Sequence, residues 1–530
     1  MRLDLKARLM FLAALLISAS VEGAPAAFFS DLDSGPNSGG QDDKGAFVTV
    51  WGKGFGTSPG TVTVGNGQAA RLVVWTDTQV SFQLGAEATT GEIVVRIAGG
   101  AVSNGIPFTV RPGRIYFVTS NGSGGGSFTS PMSPAAVYSK AEPGDTFYFR
   151  AGTYAGQYGS KTWGSYNYTF NPSTSGARGK PLALVGYPGE IVVFQAPSSS
   201  YGNITLGDGS GVANFVTIAN LVLKGASLCI AGGGFWRNAH SGASNVRVVG
   251  NVLSASYKGS TGGSGLIVPQ NDHWRILGNE FKDTGDAPAQ NLNHAIYAQV
   301  GASDLEIGWN SFHHLIMGHV IQVHTDIPYL YEDVRIHDNA LTATNSSDSR
   351  GITISNVLPD SHGAIYNNVL HNLGQRFSGI AVYNGNWKIY NNTLYNINAP
   401  APAMVWLSGQ FNNGRPTAEV FNNIFYSDGM SDYVGAENGA TMSQITLTNN
   451  LYFNFNGGPA PAQDKSGVNA DPLFVDAEAG DFRLKPGSPA IDRGIKTPAG
   501  TRDRDGIPRP QGRATDIGAY ESSSNPGTSP

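Results

Sequence analysis

Hydrophobic and polar residues fall into the same short phrase eight times between Val246 and Asn450. Apolar residues flank a charge or amide, as in Val246-Arg247-Val248, Trp274-Arg275-Ile276, Leu305-Glu306-Ile307 and Val334-Arg335-Ile336, and a turn ending in Asn follows. The turn positions are Asn251, Asn279, Asn310, Asn339, Asn368, Asn392, Asn423 and Asn450, spaced 24 to 31 residues apart. That period holds two or three short strands with turns and leaves no room for a long helix. The alternation predicts one buried and one solvated face for each strand. Asn at the turn is expected to take the left-handed backbone conformation, with its amide bonded to the next one along the stack. The pattern predicts an all-β fold built on a solenoid, a right-handed parallel β-helix.

A further alternation lies between the turns. Ser264-Gly265-Leu266-Ile267-Val268 aligns over His294-Ala295-Ile296-Tyr297-Ala298-Gln299, then His319-Val320-Ile321-Gln322-Val323-His324, Arg350-Gly351-Ile352-Thr353-Ile354-Ser355 and Ser378-Gly379-Ile380-Ala381-Val382-Tyr383. In this register Leu266, Ile296, Ile321, Ile352 and Ile380 form one inward ladder, and Val268, Ala298, Val323, Ile354 and Val382 another. The polar positions then stack as His294, His319 and Arg350, beside Tyr297, Gln322 and Thr353, and beside Gln299, His324 and Ser355. Strands about 4.8 Å apart would let these columns span one to three sugar units. A second set lies three residues past the turn Asn, where Lys282, His313 and His371 fall, and Lys258 flanks the same groove. All 10 histidines lie between His240 and His371, a clustering that needs a local cause.

Composition adds location. The 70 Gly and 29 Pro punctuate a chain with only 14% charged residues, as expected of a strand-rich and turn-rich protein. A net charge of -5 argues against a nucleic-acid partner, so any attraction for an anion must be local. Lys6 and Arg8 precede an apolar run from Leu9 to Ile17, and Ala24-Pro25-Ala26 offers a small-residue cleavage site. Residues 1–26 therefore read as a signal peptide, too short for a membrane span, and the protein is expected to be secreted or periplasmic and monomeric. Cys229 is the sole cysteine, which excludes an internal disulfide. Residues 522–530 form a Ser/Pro/Gly tail expected to be disordered.

Residues 27–112 make a separate unit. Val50-Trp51-Gly52-Lys53-Gly54-Phe55-Gly56, the tract Trp75-Thr76-Asp77-Thr78-Gln79 and the runs 62–64, 91–96 and 103–110 are short strands with turn signals. The unit resembles the IPT/TIG immunoglobulin-like domain, which implies a small β-sandwich serving as a spacer or sugar-contacting accessory. Residues 113–521 carry the solenoid and its caps. Arg114-Ile115-Tyr116-Phe117-Val118, a short helix around Ser133 to Ala141 and Pro143-Gly144-Asp145-Thr146 resemble the opening of secreted β-helix proteins of the pectate-lyase-like superfamily. Asp471-Pro472-Leu473-Phe474 and Asp516-Ile517-Gly518-Ala519-Tyr520-Glu521 resemble their closing segment.

Imidazoles, a guanidinium, lysines and a phenol on a long groove suit β-elimination in an acidic polysaccharide. That reaction requires the uronate carboxylate to be neutralised, the C5 proton removed and the leaving oxygen protonated. The resemblance implies a fold that commonly hosts such lyases. The candidate catalytic residues are His294, Tyr297, His319, His324 and Arg350, with Lys258, Lys282, His313 and Gln322 binding substrate. Arg350 or His319 would neutralise the carboxylate, His294 or His324 would be the base and Tyr297 the acid. No cofactor is firmly implied. Zinc on His294, His319 and His324 lacks a carboxylate or Cys partner, and Ca2+ would need clustered carboxylates, of which Asp283 and Asp286 are the nearest pair. Three rivals stay open. A glycoside hydrolase would need paired carboxylates, with Asp283, Asp286, Asp304 and Asp326 in the right coils. A uronate C5-epimerase would share the proton-abstraction step. A non-catalytic polysaccharide-binding or adhesin-like solenoid would carry aromatic platforms and no group of shifted pKa.

Overall fold

A computed structural model describes residues 24–522 apart from 160–161, 164–165, 173, 197–200, 208–210, 226–227, 235–240, 255–263, 286–292, 317, 343–349, 374–377, 398–402, 412–413, 428–431 and 455–458. Three sheets run the length of a parallel β-helix. Sheet one has 12 strands from Ile115–Val118 onward, sheet two has 12 from Gly152–Tyr154, and sheet three has 11, beginning with Thr162–Trp163 and Tyr166–Phe170. Each coil of the chain visits them in that order, so the period accommodates three strands. Their inward residues form one continuous apolar core from Val118 to Tyr452, and the helix Pro134–Lys140, capped by the Ser133 side chain, closes its first coil through Val137.

The tight turn from sheet one to sheet two carries the predicted amide ladder. Each Asn from Asn251 to Asn423 donates its Nδ2 to the next Asn Oδ1 at 2.9–3.0 Å. The stack ends at the Asp464 carboxylate, which accepts from Asn450 Nδ2 at 2.9 Å and from the Tyr452 hydroxyl at 3.0 Å. The left-handed residue of the turn is not the ladder Asn. It is the residue before it: Gly250, Gly278, Trp309, Asp338, Asn367, Asn391, Asn422 and Asn449 all have φ between 53° and 64°. The ladder Asn is buried and its amide must point along the stack, so the conformational burden falls on its neighbour.

Two units cover the outer faces of sheets one and two. The N-terminal residues form a four-stranded and a five-stranded sheet, a small β-sandwich ahead of the solenoid. Its interior is continuous with sheet one, because Phe47, Val50 and Phe82 share a core with Tyr148, Ala183, Ala219, Val249 and Leu277. Tyr148 donates its hydroxyl to Phe47 O at 2.7 Å and accepts from Phe47 N at 2.8 Å. Arg111 donates to Gly144 O at 2.7 Å, Phe28 stacks on Trp309, whose φ is positive, and Phe29 lies tilted against the same indole. The sandwich is thus docked on the solenoid, not tethered to it as a free spacer. The C-terminal segment folds back over sheet two, where Phe474, Phe482 and Ile517 pack on Val369, Ile424 and Tyr426. A buried Arg509–Glu521 ion pair at 3.1 Å braces it. Lys53 of the sandwich reaches Asp505 of that segment at 2.6 Å.

Candidate functional site

Sheet three carries the histidine column. Parallel pairing places His294 beside His319 and His319 beside Arg350. It also sets Tyr297 beside Gln322, Gln322 beside Thr353, and His324 beside Ser355. Ile296, Ile321 and Ile352 enter the core and alternate with Tyr297, Gln322 and Thr353, which therefore face outward. His294 and His319 join that outer face because Ala295 and Val320 also turn into the core, and the two imidazoles meet Tyr297 and Thr353 there. One strand departs from the sequence alignment. Gly265 pairs with His294 and Ile267 continues the ladder to Ile296, a shift of one residue that displaces Leu266 from the pairing position. Val268 leaves the inward ladder and packs in a separate cluster with Tyr168, Leu228 and Ala231. The run Leu266-Ile267-Val268 contains no polar residue from which alternation could be read.

Each imidazole has its own environment. His294 and His319 are both 4% exposed, with ring centroids 5.3 Å apart. The Tyr297 ring lies 4.5 Å from His294 and is stacked 6.1 Å from His324. His319 is engaged at both nitrogens, Nδ1 lying 2.9 Å from Thr353 Oγ1 and Nε2 3.1 Å from Arg350 Nη1. A guanidinium only donates, so Nε2 accepts and Nδ1 carries the proton given to Thr353. Burial, reinforced by His294 and Arg350, holds His319 well below the usual histidine range and therefore neutral. His294 Nδ1 is buried with no hydrogen-bond partner. Burial, followed by repulsion from His324 and Arg350, pulls this imidazole down to about 3. His324 Nδ1 meets Ser355 Oγ at 2.9 Å and its Nε2 lies 3.8 Å from Asp326 Oδ1. Burial lowers it too, against the pull of Asp326. Gln322 donates to the same Ser355 hydroxyl at 3.4 Å. Burial pushes the Tyr297 phenol up to about 12, so it keeps its proton at neutral pH.

Arg350 is the one Lys or Arg among the described strand residues of sheet three, and Glu437 at the far end is their one carboxylate. The site is therefore a single fixed cation beside neutral imidazoles and a phenol. Such a set can hold one carboxylate, accept a proton and donate a proton.

The other predicted residues lie elsewhere. Lys282 and His313 pair with each other on sheet two, not on the histidine column, because the residues that follow the turn Asn belong to that sheet. Both bind Glu280, at 2.9 and 3.0 Å. Against the effect of burial, these bonds keep the Glu280 carboxyl below its ordinary range. His371 is also on sheet two, half-buried against Phe482. Lys258 and Asp286 fall outside the described residues. Of the acids weighed for hydrolysis, Asp304 is on the sheet-one side, tied to Arg275 at 2.7 Å and Arg335 at 3.0 Å, and Asp283 faces His314 at 3.4 Å. Among the described residues no three His, Cys, Asp or Glu side chains are grouped to hold a metal ion.

Sequence reasoning missed an aromatic group on the same sheet. The outer column of Tyr297, Gln322 and Thr353 continues through Ala381 to Trp406. Tyr383 lies 5.3 Å from Trp406 and 4.9 Å from Phe411, and Phe411 reaches His324 at 6.4 Å. These aromatics sit past the last histidine, so the clustering of histidines gave no sign of them.

Residues 387–494, roughly one fifth of the chain, match the model of a domain of unknown function, DUF5123. No curated protein sequence matches the chain. Among solved structures, the pectate lyase Pel9A is similar with a TM-score of 0.43 and 17% identity, over 77% of this chain and 96% of that one. A rhamnogalacturonan lyase gives 0.43 and 15% over 74% and 99%, and a family 28 exopolygalacturonase from Yersinia enterocolitica gives 0.31 and 10% over 84% and 99%. Among the described residues no helix is long and apolar enough to cross a membrane.

Proposed function

We propose that this protein is a polysaccharide lyase that cleaves a uronic-acid-containing polysaccharide by β-elimination. The observation that carries this reading is the pairing of Arg350, the one Lys or Arg among the described strand residues of sheet three, with neutral imidazoles and a protonated phenol on one outer face. Arg350 receives the uronate carboxylate, and His319 is a positioning residue that fixes its guanidinium. His294 or His324 takes the C5 proton. A carboxylate entering beside these rings adds negative charge, which favours the imidazolium and raises their basicity from the depressed values of the free protein. As the C5–H bond breaks, its electrons form the C4–C5 double bond and expel the C4 oxygen. Tyr297 gives that oxygen a proton and regains one from the imidazolium or solvent. Gln322 steadies Ser355 and, through it, His324.

Export through residues 1–26 fits a polymer too large to enter a cell, and the IPT/TIG-like unit would act as a docked brace for sheet one. Incubation with a panel of uronate polysaccharides tests the reaction. A lyase yields an unsaturated sugar with new ultraviolet absorbance, a hydrolase yields reducing ends without it, and a C5-epimerase changes stereochemistry at constant chain length. Absence of the unsaturated product from every member of a broad panel contradicts the proposal.

A further inference from the structure

Among the described strand residues of sheet three, Arg350 has no other Lys, Arg, Asp or Glu near it, Glu437 lying three strands further on. Toward the C-terminus the outer column passes from Thr353 to Ala381 and Trp406, with Tyr383 and Phe411 alongside. Toward the N-terminus the face is closed, Val268, Ala231 and Tyr168 being buried in a cluster of their own. Strands stack about 4.8 Å apart, close to the length of one sugar in an extended polysaccharide. A chain lying along the solenoid axis therefore meets Arg350 with one residue and, toward the C-terminus, the Tyr383, Trp406 and Phe411 group with its neighbour.

The indole adds an independent sign of a ligand. Trp406 is 8% exposed, and its Nε1 is buried without a hydrogen-bond partner. A buried donor left unmatched costs free energy that a ligand hydroxyl would recover. Aromatic rings bind the C–H faces of uncharged pyranoses, whereas a carboxylate placed against them loses hydration with no counter-charge.

We infer that the substrate carries a uronate next to an uncharged sugar, and that Trp406, Tyr383 and Phe411 form the subsite that selects the uncharged residue. This inference rests on the uronate reading of Arg350. It separates a polymer alternating uronate with neutral hexose from a homopolyuronate, in which every subsite would face a carboxylate.

The test compares two oligosaccharides of equal length, one all-uronate and one alternating uronate with neutral hexose, in binding and in turnover by the full chain. The alternating ligand should bind more tightly by on the order of tenfold or more. Trp406→Phe keeps an aromatic ring, smaller than the indole, and removes the N–H, and should lose several-fold affinity for the alternating ligand alone. Phe411→Arg, at a half-buried position, should narrow or invert the preference. Equal or tighter binding of the all-uronate ligand by the wild type overturns the inference, as does a ratio unmoved by Phe411→Arg. Selective binding without any unsaturated product would overturn the lyase reading and leave the ligand class standing. Unsaturated product formed equally from both ligands, with equal binding, would do the reverse.

Discussion

Replacing Thr353 by Val tests the arrangement that holds Arg350. Thr353 is 1% exposed, and its hydroxyl accepts the proton on His319 Nδ1 at 2.9 Å. Valine keeps the branched shape and removes the acceptor. His319 then has two options. It can keep its tautomer and bury an unsatisfied N–H, or move the proton to Nε2, where it would point at the Arg350 N–H 3.1 Å away. Either choice costs about 1–3 kcal/mol, the penalty for an unmatched buried donor. The second also turns the guanidinium aside, and a misplacement of about 1 Å at a reacting centre costs roughly 10²-fold in turnover. Urea denaturation of Thr353→Val against wild type reads the first quantity. The nitrogen chemical shifts of His319 read the tautomer, and kcat/KM on a uronate polymer reads the third. Thr353→Ser retains the hydroxyl and should behave nearly as wild type. If Thr353→Val were within about 0.5 kcal/mol of wild type with His319 still protonated at Nδ1, the relay from Thr353 through His319 to Arg350 would be refuted.

Other outcomes follow from the same structure. Asn310→Ala orphans Asn279 N and Ile276 O, both buried partners of its amide, and should lower the unfolding free energy by about 3–5 kcal/mol in urea titration. Tyr148→Phe strips Phe47 N and O of their partner and should cost about 2 kcal/mol or more, seen as earlier exposure of the sandwich in hydrogen exchange. His294, depressed by burial to about 3 from the ordinary 6.5, stays neutral in the folded protein while the unfolded chain binds a proton. Its contribution is present above about pH 6.5 and is lost as pH falls toward 3, at about 1.4 kcal/mol per pH unit for the one proton. His294→Asn should flatten the pH dependence of stability in that window.

The parts of this account that were legible in the sequence were those written as periodic pattern. The ladder from Asn251 to Asn450 was visible because a buried amide must recur once per coil. His294, His319 and Arg350 could be set side by side because Ile296, Ile321 and Ile352 pinned the register. Where Leu266-Ile267-Val268 offered three apolar residues in a row, the alternation had nothing to anchor it and the pairing slipped by one. Lys282 and His313 had the right period and the wrong sheet, since distance from the turn does not reveal which sheet a residue enters. The docking of Phe28 and Phe29 on Trp309 joins residues about 280 apart in sequence, and no local pattern encodes it. Trp406 and Phe411 were invisible for a simpler reason: aromatics recur through the solenoid, and only their place beside His324 marks them.

The central claim is that Arg350 and the neighbouring imidazoles break a glycosidic bond without water entering it. Mass spectrometry of a defined uronate oligosaccharide before and after incubation measures this directly. The account predicts two products whose masses sum to that of the substrate, one of them unsaturated, with formation falling by about 10² or more in Arg350→Ala and His294→Ala. Products whose masses sum to the substrate plus one water, or unsaturated product formed at wild-type rate by both variants, would contradict it.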